Sequence, residues 1–127
     1  MKYMEKEGFV SLFIGNSKSY KDLQNYILNS YTEDGDLLPS EFEKDFNIDY
    51  YNEDFREVEF YDEPSNDLRV LLEGFSYDEE IIPKFIELCG ERLNQEANSV
   101  ILLYNFQYNG NVNEKNQFRF LGTVQYK

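Results

Sequence analysis

At 127 residues, the chain has room for one domain with a single hydrophobic core, and a hydrophobic content of 41% is that of a packed globular protein. Its formal net charge is −13, from 25 Asp and Glu against 12 Lys and Arg. This balance argues against direct binding to nucleic acid or to an anionic membrane surface, because both depend on clustered basic side chains.

The first half of the chain alternates between strand-like and helix-like patterns. Val10, Leu12 and Ile14 share one face of a β-type run that Gly15 ends, and Ser19 with Asp22 is typical of a helix start. Pro39–Ser40 favours a second helix start, with Phe42 and Phe46 four residues apart. The predicted elements are a strand over 9–14, a helix over about 17–31, a turn over 33–36, a helix from Pro39–Ser40 and a strand over 57–61 with Val58 and Phe60 facing the core.

The second half predicts two helices followed by two long strands. The clearest helical stripe lies between 76 and 97, where an apolar side chain recurs every three or four residues up to Leu93, so Pro83 is expected in the first turn of that helix. The predicted elements are a short helix over 67–72 closed by Gly74, the helix over 76–97, and strands over 100–108 and 118–126. The Asn- and Gly-rich connection over 109–117 suggests that these strands pair as a hairpin.

Helices and strands are mixed without βαβ alternation, which predicts an α+β fold: an antiparallel sheet of about four strands with helices packed mainly on one face. We expect one domain over 1–127. The chain has neither an apolar run of about 20 residues nor an apolar signal segment at its start. With a single cysteine, Cys89, these features indicate a cytoplasmic protein.

The residues give little support to catalysis, so we expect a protein that is not an enzyme and needs no cofactor or metal. The chain has no histidine, Cys89 lies on the apolar stripe of a predicted helix, and there is no glycine-rich phosphate loop. Carboxylates holding a divalent metal remain an alternative. Residues 33–36 have calcium-like chemistry, but they lack the alternating ligands of an EF-hand and fit an Asp-Gly turn better.

The acidity is concentrated between Tyr31 and Glu63, a stretch that holds 13 acidic residues, two basic ones and many aromatic rings. Two interpretations are open: a surface that binds a basic protein, and a solvated face whose rings belong to the core. For the first interpretation, carboxylates would face Arg and Lys, and tyrosines would supply the desolvated contact area. The predicted partner-binding residues are Asp34, Asp36, Asp45, Asp49, Tyr50, Tyr51, Glu53, Asp54, Glu57, Glu59 and Tyr61.

Two stretches carry a family resemblance: residues 12–16, followed by a Ser-led helix, and residues 42–55. Over about 8–88, the chain resembles the immunity protein 22 family of bacterial polymorphic toxin systems. The resemblance implies a small cytosolic antitoxin that binds and neutralises a cognate toxin domain, in many such systems a nuclease with a basic surface. The oligomeric expectation is a monomer or weak dimer. An acidic adaptor, or a DNA mimic that binds another basic protein, is the alternative.

Overall fold

The computed structural model describes residues 4–127. In chain order the elements are β1 (Glu5–Gly15), α1 (Tyr20–Ile27), β2 (Ser30–Tyr31), β3 (Leu37–Leu38), α2 (Glu41–Phe46), a 3-10 turn (Glu53–Phe55), β4 (Arg56–Asp67), α3 (Leu68–Leu72), α4 (Asp78–Cys89), β5 (Arg92–Phe106), β6 (Glu114–Lys115) and β7 (Phe118–Gln125).

The main sheet is antiparallel, with five strands in the order β4-β5-β1-β7-β6, and β2 and β3 form a separate small hairpin. Strand β1 lies at its centre: Leu12 is opposite Leu102 of β5 on one side and Gly122 of β7 on the other. The predicted hairpin between the last two long strands is therefore wrong. β5 and β7 do not pair with each other, because β1 lies between them.

Helices cover both faces of this sheet. On one face, alternate residues of β1 such as Leu12 and Ile14 pack against α3 and α4. On the other face, Phe13 packs against α1 and α2. The predicted α+β class is confirmed, but the helices are shared between the two faces rather than placed mainly on one. The difference arises because β1 is apolar on both sides, which buries it between two helical layers.

Phe13 is the centre of an aromatic cluster in the α1–α2 layer. Its ring centroid lies 5.0 Å from that of Phe42, 5.1 Å from Phe46, 5.4 Å from Tyr108 and 5.2 Å from Phe120. Most of these pairs are edge-to-face, the arrangement that aromatic quadrupoles favour. The cluster joins α2 to β1, β7 and the chain that follows β5, so it fixes the position from which the loop after α2 departs.

The ends of two helices are set by local backbone chemistry. Ser40 caps α2 in a capping box: its hydroxyl accepts from the Glu43 backbone, and the Glu43 carboxylate accepts from the Ser40 backbone N–H. Helix α4 ends before Gly90, which has a φ of +87°, so the predicted helix over 76–97 is too long and its last residues belong to β5. Pro83 lies in the second turn of α4 and not in the first.

Candidate functional site

The most exposed acidic and aromatic side chains of the stretch after α2 lie in the loop over 49–55, here called the 49–55 loop. Tyr50 is 65% exposed and Phe55 45% exposed. Three carboxylates, those of Asp49, Glu53 and Asp54, are exposed beside them. The loop therefore presents large rings and negative charge together. Four of the predicted partner-binding residues lie in it: Asp49, Tyr50, Glu53 and Asp54.

Two local contacts fix the shape of this loop. The Asn52 side chain accepts a hydrogen bond of 2.9 Å from the Asp54 backbone N–H, which starts the 3-10 turn. The next residue inward, Tyr51, is only 6% exposed, and its ring lies near those of Phe42 and Phe106. Because Tyr51 belongs to the core, it cannot serve as the exposed contact residue that the sequence suggested; it anchors the loop instead.

Arg56 completes the anchor. Its Nη1 donates to the Tyr51 hydroxyl at 2.8 Å and to the Ile27 carbonyl at 3.3 Å, which ties the 49–55 loop to the end of α1. Burial raises the pKa of Tyr51 above its ordinary value, and the Arg56 hydrogen bond opposes that rise. Behind the loop, Tyr50 and Phe55 line a recess of only about 30 Å³. A space of that size holds about one water molecule, so the loop offers a contact surface and not a ligand pocket.

Asp45 lies apart from the 49–55 loop and has partners within the fold. Its Oδ2 accepts from the Tyr26 hydroxyl at 2.8 Å and from Asn116 Nδ2 at 2.7 Å. Burial raises the pKa of Tyr26, and the hydrogen bond to Asp45 adds to the rise. Asp45 thereby joins α2 to α1 and to the turn before β7, which is a structural role.

Three more of the predicted residues lie on the opposite face of the sheet. Val58 and Phe60 of β4 face the α1–α2 layer, so the alternating residues Glu57, Glu59 and Tyr61 point towards the α3–α4 layer. Glu57 accepts hydrogen bonds from the backbone N–H and hydroxyl of Ser76. The Tyr61 hydroxyl donates to the Leu71 carbonyl at 2.8 Å, and its ring packs against the core. Glu59 is exposed.

The remaining predicted residues, Asp34 and Asp36, are exposed at the tip of the β2–β3 hairpin. The stretch that is continuous in sequence is thus divided in space among this hairpin, the α2 side, the 49–55 loop and the other face of the sheet. Sequence reasoning missed the exposed apolar residues of the hairpin, among them Tyr31 and Leu37. The available signal was the pair Leu37–Leu38 directly after an acidic turn.

Metal ligands, the thiol of Cys89 and the helices complete the description of the site. Within 4–127, no group of three or more His, Cys, Asp or Glu is placed to hold a metal ion. Cys89 is half-buried against the core, and burial raises the pKa of its thiol, which disfavours the reactive thiolate. None of the helices over this range has the length and apolar character to cross a membrane.

Comparison with known proteins identifies the family. The family model described as Immunity protein 22 matches residues 10–127, so the resemblance over 8–88 extends through β5 and β7, and the chain belongs to this family. No curated protein and no solved structure matches the chain. Membership indicates an antitoxin role, in which the protein binds a cognate toxin, and immunity proteins are in general not catalytic.

Proposed function

We propose that this member of the Immunity protein 22 family binds and neutralises a cognate toxin domain through its 49–55 loop. The observation that carries the proposal is the exposure of Tyr50 and Phe55 between the carboxylates of Asp49, Glu53 and Asp54. Aromatic rings that stay exposed to water contribute little to the stability of the fold. At an interface the same rings supply buried apolar area.

The charge of the loop defines the chemistry of the partner. Three carboxylates on the loop, within a chain of net charge −13, favour a toxin surface rich in Arg and Lys. A nuclease must present such a surface to the phosphates of its substrate, and we therefore propose that the toxin is a nuclease. Opposite charges on the two proteins raise the association rate constant towards about 10⁸–10⁹ M⁻¹s⁻¹ at low salt.

The anchor beneath the loop supports the same function. Since Tyr51 is buried and hydrogen-bonded to Arg56, the loop is held in shape before any partner arrives. Ordering a free side chain at an interface costs about 0.5–1.5 kcal/mol, and ordering loop backbone adds to that cost. A loop that is already fixed avoids much of this loss.

The decisive experiment is titration calorimetry against the purified C-terminal toxin domain encoded beside the gene for this chain, at low and at high salt. We expect tight binding that weakens as salt rises, together with stoichiometric loss of nucleic-acid cleavage by the toxin. Binding that salt leaves unchanged would move the contact away from the acidic loop. Absence of binding at both salt concentrations would refute the proposed function.

The variant Tyr50→Ala tests the role of the loop itself. We expect it to weaken binding by about 2 kcal/mol, roughly thirtyfold in Kd, because a buried interfacial tyrosine contributes that much. The matched control is Tyr20→Ala, which removes an exposed tyrosine from α1, outside the loop. If both variants weaken binding equally, or neither does, the 49–55 loop is not the contact surface.

A further inference from the structure

The β2–β3 hairpin exposes apolar side chains that the fold itself does not bury. Tyr31 and Leu37 are directly opposite each other across the two strands, and they are 69% and 51% exposed. Leu28 and Leu38, at the two ends of the hairpin, are also exposed. We call residues 28–38 the apolar hairpin. A cross-strand aromatic–aliphatic pair of this kind normally packs against a core, and here it faces solvent.

The hairpin nonetheless has a defined conformation. The Thr32 backbone N–H donates to the Asp36 carbonyl at 2.9 Å, and the Asp36 backbone N–H donates to the Thr32 hydroxyl at 3.0 Å. At its base, Asn29 Nδ2 donates to the Glu43 carboxylate and to the Leu38 carbonyl. Two strands of two residues would be marginal by themselves. These contacts hold the hairpin on the α1–α2 layer, so the exposed pair is presented in one geometry.

The charge around the exposed pair selects between possible occupants. The apolar hairpin contains Glu33, Asp34 and Asp36 and no Lys or Arg. A second copy of this chain, docked through the same patch, would bring two sets of carboxylates together on proteins of net charge −13 each, which is unfavourable. A surface with an apolar depression rimmed by Arg and Lys complements both the rings and the charges.

The apolar hairpin is also connected to the 49–55 loop. Arg56 Nη1 contacts the Ile27 carbonyl, one residue before the hairpin, as well as the Tyr51 hydroxyl at the base of the loop. Arg56 therefore binds one residue next to each surface, Ile27 directly before the hairpin and Tyr51 within the loop. A single partner that covers the loop can extend across Arg56 to the hairpin.

We infer that the apolar hairpin is a second contact surface for the basic toxin domain, with Tyr31 and Leu37 inserted into an apolar depression and Asp34 and Asp36 facing its basic rim. This inference rests on the proposed function. It adds an apolar element that makes binding at this surface partly independent of salt, because burial of rings and leucines is not screened by ions.

The test is calorimetry of the double variant Tyr31→Ala/Leu37→Ala against the same toxin domain. We expect the Kd to rise at least tenfold at both salt concentrations. The matched control, Tyr20→Ala/Val70→Ala, also removes one exposed tyrosine and one exposed aliphatic side chain, but from α1 and α3; it should stay within twofold of the wild type. If the wild type binds and the hairpin variant binds equally well, the hairpin inference fails while the proposed function stands. If the wild type does not bind, both fail.

A charge variant provides a second test, which does not depend on whether the truncated apolar pair affects folding. Asp34→Lys/Asp36→Lys leaves the apolar pair and Gly35 in place, and we expect it to weaken binding at low salt more than at high salt. Binding unchanged by this reversal would contradict the basic rim. Sedimentation velocity of the free wild type tests whether a second copy of the chain binds the hairpin instead. A dimer that Tyr31→Ala/Leu37→Ala abolishes would assign the hairpin to a second copy of the chain and overturn the inference.

Discussion

Arg56 Nη1 lies 2.8 Å from the Tyr51 hydroxyl oxygen, and the guanidinium is also 5.8 Å from the centroid of the Tyr51 ring. The Arg56 guanidinium thus supplies a hydrogen-bond donor to the hydroxyl of a buried tyrosine. Because the buried Tyr51 directly follows the exposed Tyr50 in the chain, this pair connects the packing of the core to the geometry of the proposed contact surface.

Replacing Arg56 should destabilise the protein. Arg56→Ala removes the donor to both the Tyr51 hydroxyl and the Ile27 carbonyl, and we expect the free energy of unfolding to fall by about 1–3 kcal/mol in urea denaturation. The double variant Arg56→Ala/Tyr51→Phe should lose less than the sum of the two single variants, because they remove the same hydrogen bond. Strict additivity would show that the contact does not contribute to stability.

Phe13 should be among the most sensitive positions in the core. Its ring is fully buried and meets four other rings, so Phe13→Ala leaves a cavity and is expected to cost about 3–5 kcal/mol. Phe55→Ala, which truncates a ring that is 45% exposed, provides the comparison and should lower stability by about 1 kcal/mol or less. Similar losses for the two variants, measured by chemical denaturation, would be incompatible with the described core.

The capping box of α2 predicts a measurable local effect. Ser40→Ala removes the oxygen that accepts from the Glu43 backbone N–H at 3.2 Å, and it should lower the free energy of unfolding by about 0.5–2 kcal/mol. Ser30→Ala, at an exposed position outside any cap, should have no effect of that size. If Ser40→Ala unfolds at the same urea concentration as the wild type, the cap does not stabilise α2.

Alkaline pH should destabilise the fold in a defined direction. Burial is the first cause of the raised pKa values of Tyr26, Tyr51 and Tyr104, whose ordinary value is 10.0. Above about pH 10 the unfolded chain loses these protons while the folded protein retains them, so stability is full below pH 10 and falls as pH rises further. Urea midpoints between pH 8 and pH 11 should therefore decrease, and Tyr26→Phe should reduce that dependence. Equal midpoints across this range would contradict the prediction.

Local patterns predicted most elements because they depend on neighbouring residues. The apolar run of β1 and the Ser40 start of α2 are properties of a few adjacent positions, so the sequence predicts both. The sequence predicts the end of α4 wrongly because Leu93 lies four residues beyond Cys89, which is a helical spacing. In the structure Leu93 belongs to β5 and enters the core from that strand. The positive φ of Gly90 separates the two elements, and the sequence alone did not show whether this glycine lay inside a helix or after it.

The candidate site was harder to predict than the elements. Adjacent residues of a strand point to opposite faces of the sheet, as Glu57 and Val58 of β4 do, so acidic residues that are close in the sequence need not share a surface with the rings beside them. Tyr50 and Tyr51 are adjacent, yet one is exposed and the other is buried. Which of two adjacent rings enters the core depends on where α2 packs, and that is set by contacts with strands distant in the sequence.

The order of the sheet also bears on how the protein is made. The central strand β1 pairs with β7, and Gly15 is opposite Phe118, about a hundred residues further along the chain. Until the ribosome has released β7, one edge of an apolar strand has no partner, and such an edge can pair with other chains. Pairing over such separations is also slow compared with local folding. Newly synthesised molecules are therefore vulnerable to aggregation until β7 docks on β1 and completes the pairing of the central strand.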